Sequence, residues 1–216
     1  MNDRRLSAVV AILLGYSVLF HPRWSLAWKS IAPQSFSAIF TPQLYFLLSS
    51  VGVIVWMKIP LSQIFVRSDG FARRAILGAA FALIPFVALG AIEALRPVAV
   101  RPCALSWSAW DFFTLFVMAP VSEELLFRGL LLSALLTHFS QKTSIVLGAV
   151  LFMFAHGLWA FGPLFLGVVA GFWTLRHRSI AAGLAFHAVS NAYIPVLCKA
   201  WPHAYAWIAK LPLLIR

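Results

Sequence analysis

The chain has 216 residues, of which 62% are hydrophobic and 11% charged, and its formal net charge is +11. A soluble domain could not cover so apolar a surface with polar groups, so this composition excludes an ordinary soluble protein and indicates a polytopic membrane protein. The basic residues lie in pairs at the ends of apolar runs and form no stripe or nucleic-acid motif. They therefore predict membrane topology and anionic headgroup contacts, and no nucleic-acid partner.

Apolar runs follow one another along the chain. The first, residues 6–20, follows a basic start but precedes no small-residue cleavage site, so it predicts an uncleaved first helix. Further runs cover residues 41–57, 75–95, 109–136, 144–156, 163–175 and 180–198, and a shorter apolar piece covers residues 204–215. At roughly 20 residues per span, they predict an all-α transmembrane helical bundle of about seven or eight spans.

The distribution of Lys and Arg predicts the orientation of this bundle. With eight spans, placing the N-terminus inside leaves the larger share of these residues on the inner side. This predicts a multi-pass integral membrane protein with its N-terminus inside, in the inner membrane if the source is bacterial.

The acidic residues divide the chain into two parts. Residues 1–104 contain Asp3, Asp69 and Glu93, which all lie at or near the ends of runs. We therefore predict that residues 1–104 are transmembrane scaffold helices. Residues 105–216 are predicted to form the functional core and to contain all of the intramembrane polar chemistry.

Polar side chains interrupt three of the later runs. Ionisable groups deep in a bilayer cost several kcal/mol each, so they normally face a protein interior and mark a functional site. The candidate residues are Glu123, Glu124 and Arg128 in SEELLFR, Phe152 and His156 in FMFAH, and His187 and Asn191 in HAVSN.

Helical spacing predicts how these groups pair. Glu124 and Arg128 are four residues apart, on one helical face, in the order that favours an ion pair. Glu123 points about 100° away and has no basic partner on its own helix, so its partner must come from another helix. His156 and His187 are the candidates.

These groups are sufficient to hydrolyse an amide without a serine, a cysteine or a metal. A carboxylate beside an imidazole can activate water. His187 and Asn191, one turn apart, could both donate hydrogen bonds to an oxyanion. Pro120 removes a helix hydrogen bond and is expected to open space beside Glu123. Phe152 is expected to pack against the site.

Three motifs, EExxxR, FxxxH and HxxxN, occur in this order in separate apolar segments, and in this the chain resembles the CPBP family of intramembrane proteases. That family includes the type II CAAX prenyl endopeptidases. The resemblance covers about half of the chain and implies a metal-independent glutamate-type protease with a cavity inside the membrane. It assigns water activation to Glu123 and His156, and oxyanion stabilisation to His187 and Asn191. Glu124 and Arg128 are expected to support this geometry.

The resemblance also implies a membrane-anchored protein or peptide as the substrate, and we favour a C-terminal sorting tail. Neither a cofactor nor a metal is expected.

Two other hypotheses are compatible with the same residues. Glu123, His156 and His187 could be the ligands of a zinc protease, although HExxH is lacking. The same residues could also serve a non-catalytic membrane protein for binding, immunity or transport, in which buried polar groups recognise a ligand or relay protons.

Overall fold

The computed structural model describes residues 2–20, 37–94, 108–156 and 161–200. Within these ranges the secondary structure is helical and contains no strand, so the predicted all-α class is confirmed. No helix among the described residues combines the length and the hydropathy of a membrane span. The number of spans stays a prediction, and the apolar piece at residues 204–215 lies outside the described ranges.

The first half of the chain contributes helices close to the predicted runs. They are α1 (Asn2–Phe20), α2 (Ser37–Trp56) and α3 (Phe71–Ala94), with a short 3₁₀ helix at Leu61–Ile64 between α2 and α3.

The second half begins with a long composite helix, α4. The side chain of Ser108 caps its first turn and forms a reciprocal capping box with Asp111. The α-helical parts of α4 are Ala109–Phe113, Ala119–Glu123 and Leu132–Leu135, separated by π-helical segments at Thr114–Met118 and Glu124–Leu131. Then come α5 (Gln141–His156), α6 (Phe161–His177), α7 (Ala181–Asn191) and α8 (Tyr193–Ala200).

The predicted run at residues 180–198 is therefore divided between α7 and α8. Pro195 explains this break, because its nitrogen has no hydrogen to donate to the carbonyl group of Asn191 in a continuous helix. As a result, HAVSN lies entirely on α7 and ends it.

Helix α4 lies at the centre of the described fold. Its residues Leu126, Phe127, Leu130 and Leu131 are at most 1% exposed and form the core together with residues of α1, α2, α5, α6 and α7. This central position places the acidic motif of α4 opposite the helices that carry the two histidine motifs.

Small residues allow the surrounding helices to approach closely. A Cβ atom on Gly78 of α3 would collide with the backbone of Ala182 on α7, and one on Gly167 of α6 would lie 2.8 Å from the Cα atom of Ala149 on α5. Such close backbone contacts are typical of helix packing in membranes. They bring α7 close to α3 and α5 close to α6.

Candidate active site

Glu123 is the residue on which the candidate site converges. It is 3% exposed and lies where α4 changes from α-helical to π-helical geometry, a feature often found at functional sites. Its Oε2 atom lies 3.4 Å from Nε2 of His156 and 3.6 Å from Nε2 of His187. The structure thus brings this carboxylate together with both candidate histidines.

The tautomer of His156 follows from its backbone contact. Its Nδ1 atom lies 2.9 Å from the carbonyl oxygen of Phe152, which can only accept a hydrogen bond, so Nδ1 carries a hydrogen. Nε2 is then the nitrogen that faces Glu123. The side chain of His156 is 33% exposed, against 4% for Glu123, so the site is open on the side of His156.

The second acid lies deeper. Glu124 and Arg128 form the predicted pair, with 3.0 Å between Oε1 and Nη1, and their side chains are 0% and 3% exposed. The Nη1 and Nη2 atoms of Arg128 make no hydrogen bond of good geometry with a described residue, so the contact is the attraction of two close opposite charges.

Glu124 also orients His187. Nδ1 of His187 lies 3.0 Å from Oε1 of Glu124. Because a carboxylate can only accept, Nδ1 is the donor in this bond, and Nε2 is directed towards Glu123. One imidazole therefore lies between two carboxylates.

Asn191 has a backbone partner. In the first π-helical segment the N–H of Ala119 bonds to the carbonyl of Thr114, five residues earlier. At this spacing the carbonyl of Leu115 would face the nitrogen of Pro120, which has no hydrogen. Nδ2 of Asn191 donates to this carbonyl at 2.8 Å. The amide is held in place, and its nitrogen has a second N–H to donate.

The ring of Phe152 connects the three motifs. Its centroid lies 4.3 Å from Cζ of Arg128, 4.4 Å from the ring of His156 and 5.8 Å from the ring of His187. A guanidinium group over an aromatic face is a cation–π contact. Phe152 therefore forms a wall of the site and limits the positions of both histidines.

A polar side chain from the first half of the chain also contacts the site. Nε2 of Gln43, on α2, donates to Oε1 of Glu123 at 2.8 Å, and Oε1 of Gln43 accepts from Oγ of Ser122 at 2.6 Å. Our expectation that the polar chemistry lies wholly beyond residue 104 is therefore wrong. The prediction considered ionisable groups and therefore missed an uncharged amide. The sequence feature that could have indicated Gln43 is that it is a single glutamine, after Pro42, in an apolar run.

A second residue missed by the motifs is Gly183. A Cβ atom at this position would lie 2.9 Å from Oε2 of Glu124 and 3.2 Å from Cβ of Ala170. The absence of a side chain allows α7 to reach Glu124, which is the approach that His187 needs.

Residues 105–193 match the family model described as type II CAAX prenyl endopeptidase Rce1-like.

This stretch is similar to an Rce1-like domain and makes up less than half of the chain. The resemblance drawn from the three motifs is thereby confirmed, and all three motifs lie within the Rce1-like range. Gln43 lies outside it. Searches of curated proteins and of solved structures found no match. Among the described residues, no three His, Cys, Asp or Glu side chains are arranged as ligands of a metal ion.

Proposed function

We propose that the protein is a metal-independent intramembrane endopeptidase in which Glu123 activates the attacking water. The Rce1-like family implies a CAAX-type endopeptidase. The observation that carries the finer proposal is the position of the Glu123 carboxylate, with Oε2 at 3.4 Å and 3.6 Å from the Nε2 atoms of two histidines on other helices.

The reaction begins with a water molecule held by Glu123 and His156. Oε2 of Glu123 is buried and makes no hydrogen bond of good geometry with a described residue, so it can accept one from water. As the water oxygen bonds to the substrate carbonyl carbon, one of its protons passes to the carboxylate. His156 shares this proton through Nε2, the nitrogen that the Phe152 contact leaves as the acceptor.

His187 and Asn191 stabilise the oxyanion that forms. Because Nδ1–H of His187 is donated to Glu124, the Nε2 atom can donate to an oxyanion only when it also carries a hydrogen. That nitrogen faces Glu123, whose carboxylate can only accept a hydrogen bond. The second N–H of Asn191 is the other donor. Two preorganised donors in a site with little water are worth more than in solution.

The tetrahedral intermediate then breaks down. The proton shared by Glu123 and His156 passes to the departing nitrogen, the carbon–nitrogen bond breaks, and the products are a carboxylic acid and an amine. Both residues return to their starting protonation states.

We place this reaction in a membrane, with a membrane-anchored protein as the substrate. Exposed large apolar side chains on α2 and α3 support this placement, since Val55, Ile76 and Val87 are 67–68% exposed. A C-terminal sorting tail is the substrate that we favour, and a bacterial inner membrane with the N-terminus inside is the location.

Proteomics of the C-termini of membrane proteins tests this proposal. Cells that contain only the Glu123→Gln variant are compared with cells that contain the wild-type protein at equal abundance. We expect at least one protein to retain its C-terminal anchor in the variant cells. Identical sets of C-termini, or full turnover by purified Glu123→Gln, would overturn the proposal.

A further inference from the structure

The carboxylate of Glu123 has two oxygen atoms in different surroundings. Oε1 accepts a hydrogen bond from Nε2 of Gln43 at 2.8 Å. Oε2 faces the two histidines at 3.4 Å and 3.6 Å. The amide of Gln43 therefore distinguishes one oxygen from the other.

The direction of the amide is fixed by its two partners. A carboxylate can only accept, so the nitrogen of Gln43 must face Glu123. The oxygen of Gln43 then faces Ser122, whose hydroxyl donates to it at 2.6 Å and is fully buried. Neighbouring residues of α4 thus hold both ends of the amide, which prevents it from turning over.

An apolar contact one turn away sets the register of α2 against α4. Phe46 follows Gln43 by three residues, is 2% exposed, and packs edge-on against Phe127 with 6.1 Å between the ring centroids. Phe127 follows Glu123 by four residues, so the polar and apolar contacts lie side by side along the same two helices. We therefore expect Phe46 and Phe127 to hold the two backbones in place when the amide is changed.

On these grounds we infer that Gln43 is a positioning residue for the hydrolysis, supplied by a helix outside the Rce1-like domain. It holds Glu123 by Oε1, so that Oε2 is the oxygen that takes the proton from water. Ser122 holds Gln43 in turn. This inference rests on the proposed function, and it makes α2 a part of the active site.

A contact that only joined two helices would give a different result from a positioning contact. Loss of a helix contact lowers stability, whereas loss of positioning lowers kcat while substrate binding and KM are unchanged. A misplaced base of this kind can cost about 100-fold in rate.

The test uses the full-length protein and the substrate found by the Glu123→Gln comparison. Gln43→Met keeps the length of the side chain and removes both hydrogen bonds. We expect kcat to fall about 10- to 100-fold with KM unchanged. Ser122→Ala should give a smaller fall of the same kind. The double variant should be no slower than Gln43→Met, because both changes break one chain of contacts.

Gln63→Met is the matched control. Gln63 accepts a hydrogen bond from Arg5 at 2.9 Å, away from the site, and this variant should keep the wild-type kcat. If Gln43→Met is too unstable to purify, Ser122→Ala, which loses only one hydroxyl, provides the same kinetic test.

Failure of this inference can be distinguished from failure of the proposed function. Wild-type kcat in Gln43→Met, or in Ser122→Ala where that variant replaces it, would overturn the role of Gln43 and leave the proposed function standing, as would a rise in KM alone. Turnover that persists in Glu123→Gln would overturn the proposed function and this inference together.

Discussion

The carboxylate of Glu124 lies 3.0 Å from the guanidinium of Arg128, and both side chains are almost fully excluded from solvent. The same Oε1 atom lies 3.0 Å from Nδ1 of His187. A substitution in this ion pair is therefore expected to disturb the site through His187, which lies on another helix.

Arg128→Ala should lower both the stability and the activity of the protein. It leaves Glu124 as a buried charge without its cation, and removing one partner of such a pair typically costs about 3 to 5 kcal/mol. It also removes the guanidinium from the face of Phe152. The measurements are the yield in the membrane fraction, the unfolding temperature in detergent and the turnover of the native substrate. A well-expressed, fully active variant would contradict the importance of this pair.

Gly183→Ala should also impair the site, because the new methyl group would meet Oε2 of Glu124 at 2.9 Å. Overpacking of this kind typically costs about 1 to 3 kcal/mol, and here it would also push α7 and His187 away from α4. We expect a lower unfolding temperature and a lower kcat. Gly148→Ala on α5 is the control, because a Cβ atom there has no neighbour within 4 Å. Equal behaviour of the two variants would show that α7 tolerates the methyl group.

Contacts within the site could be predicted from the sequence with certainty only for residues that share one helix. The spacing of Glu124 and Arg128 determines their contact whatever the tertiary fold, since residues four apart lie on one face. Apart from the run at residues 180–198, which Pro195 divides, the helix ends were also close to the predicted runs, because the position and length of an apolar run carry that information.

Contacts between helices could not be predicted in the same way. Gln43 and Gly183 take part through the register of α2 and α7 against α4, and no local pattern encodes this register. The sequence limited the partners of Glu123 to His156 and His187, and only the packing of three helices shows that both are within reach. The π-helical geometry of α4 leaves the Leu115 carbonyl without a backbone donor. The feature of the sequence that indicated this was Pro120, whose nitrogen has no hydrogen.

Removal of metal ions should leave activity unchanged. Oε1 of Glu123 is bound to Gln43, and the Nδ1 atoms of His156 and His187 are engaged by Phe152 and Glu124. The proposed reaction needs only the remaining atoms and water. We expect the wild-type kcat after prolonged dialysis against a chelator, with metal content measured on the same sample. Loss of activity that zinc alone restores would favour a zinc protease.

Asn191 is expected to have two separable roles, one structural and one catalytic. Asn191→Ala should leave the Leu115 carbonyl without its donor, and an unsatisfied buried acceptor typically costs about 1 to 3 kcal/mol of stability. It should also remove an oxyanion donor, which typically costs about 100- to 1,000-fold in kcat.

Adding Pro120→Ala to this variant separates the two roles. The alanine supplies an N–H at the position that faces the Leu115 carbonyl in π-helical geometry, so the double variant should recover unfolding temperature. Activity should not return, because no new donor reaches the oxyanion. Pro120→Ala alone serves as the control for the effect of the backbone change on turnover. Recovery of activity together with stability would show that Asn191 acts only by holding α4, and the oxyanion role would then rest on His187 alone.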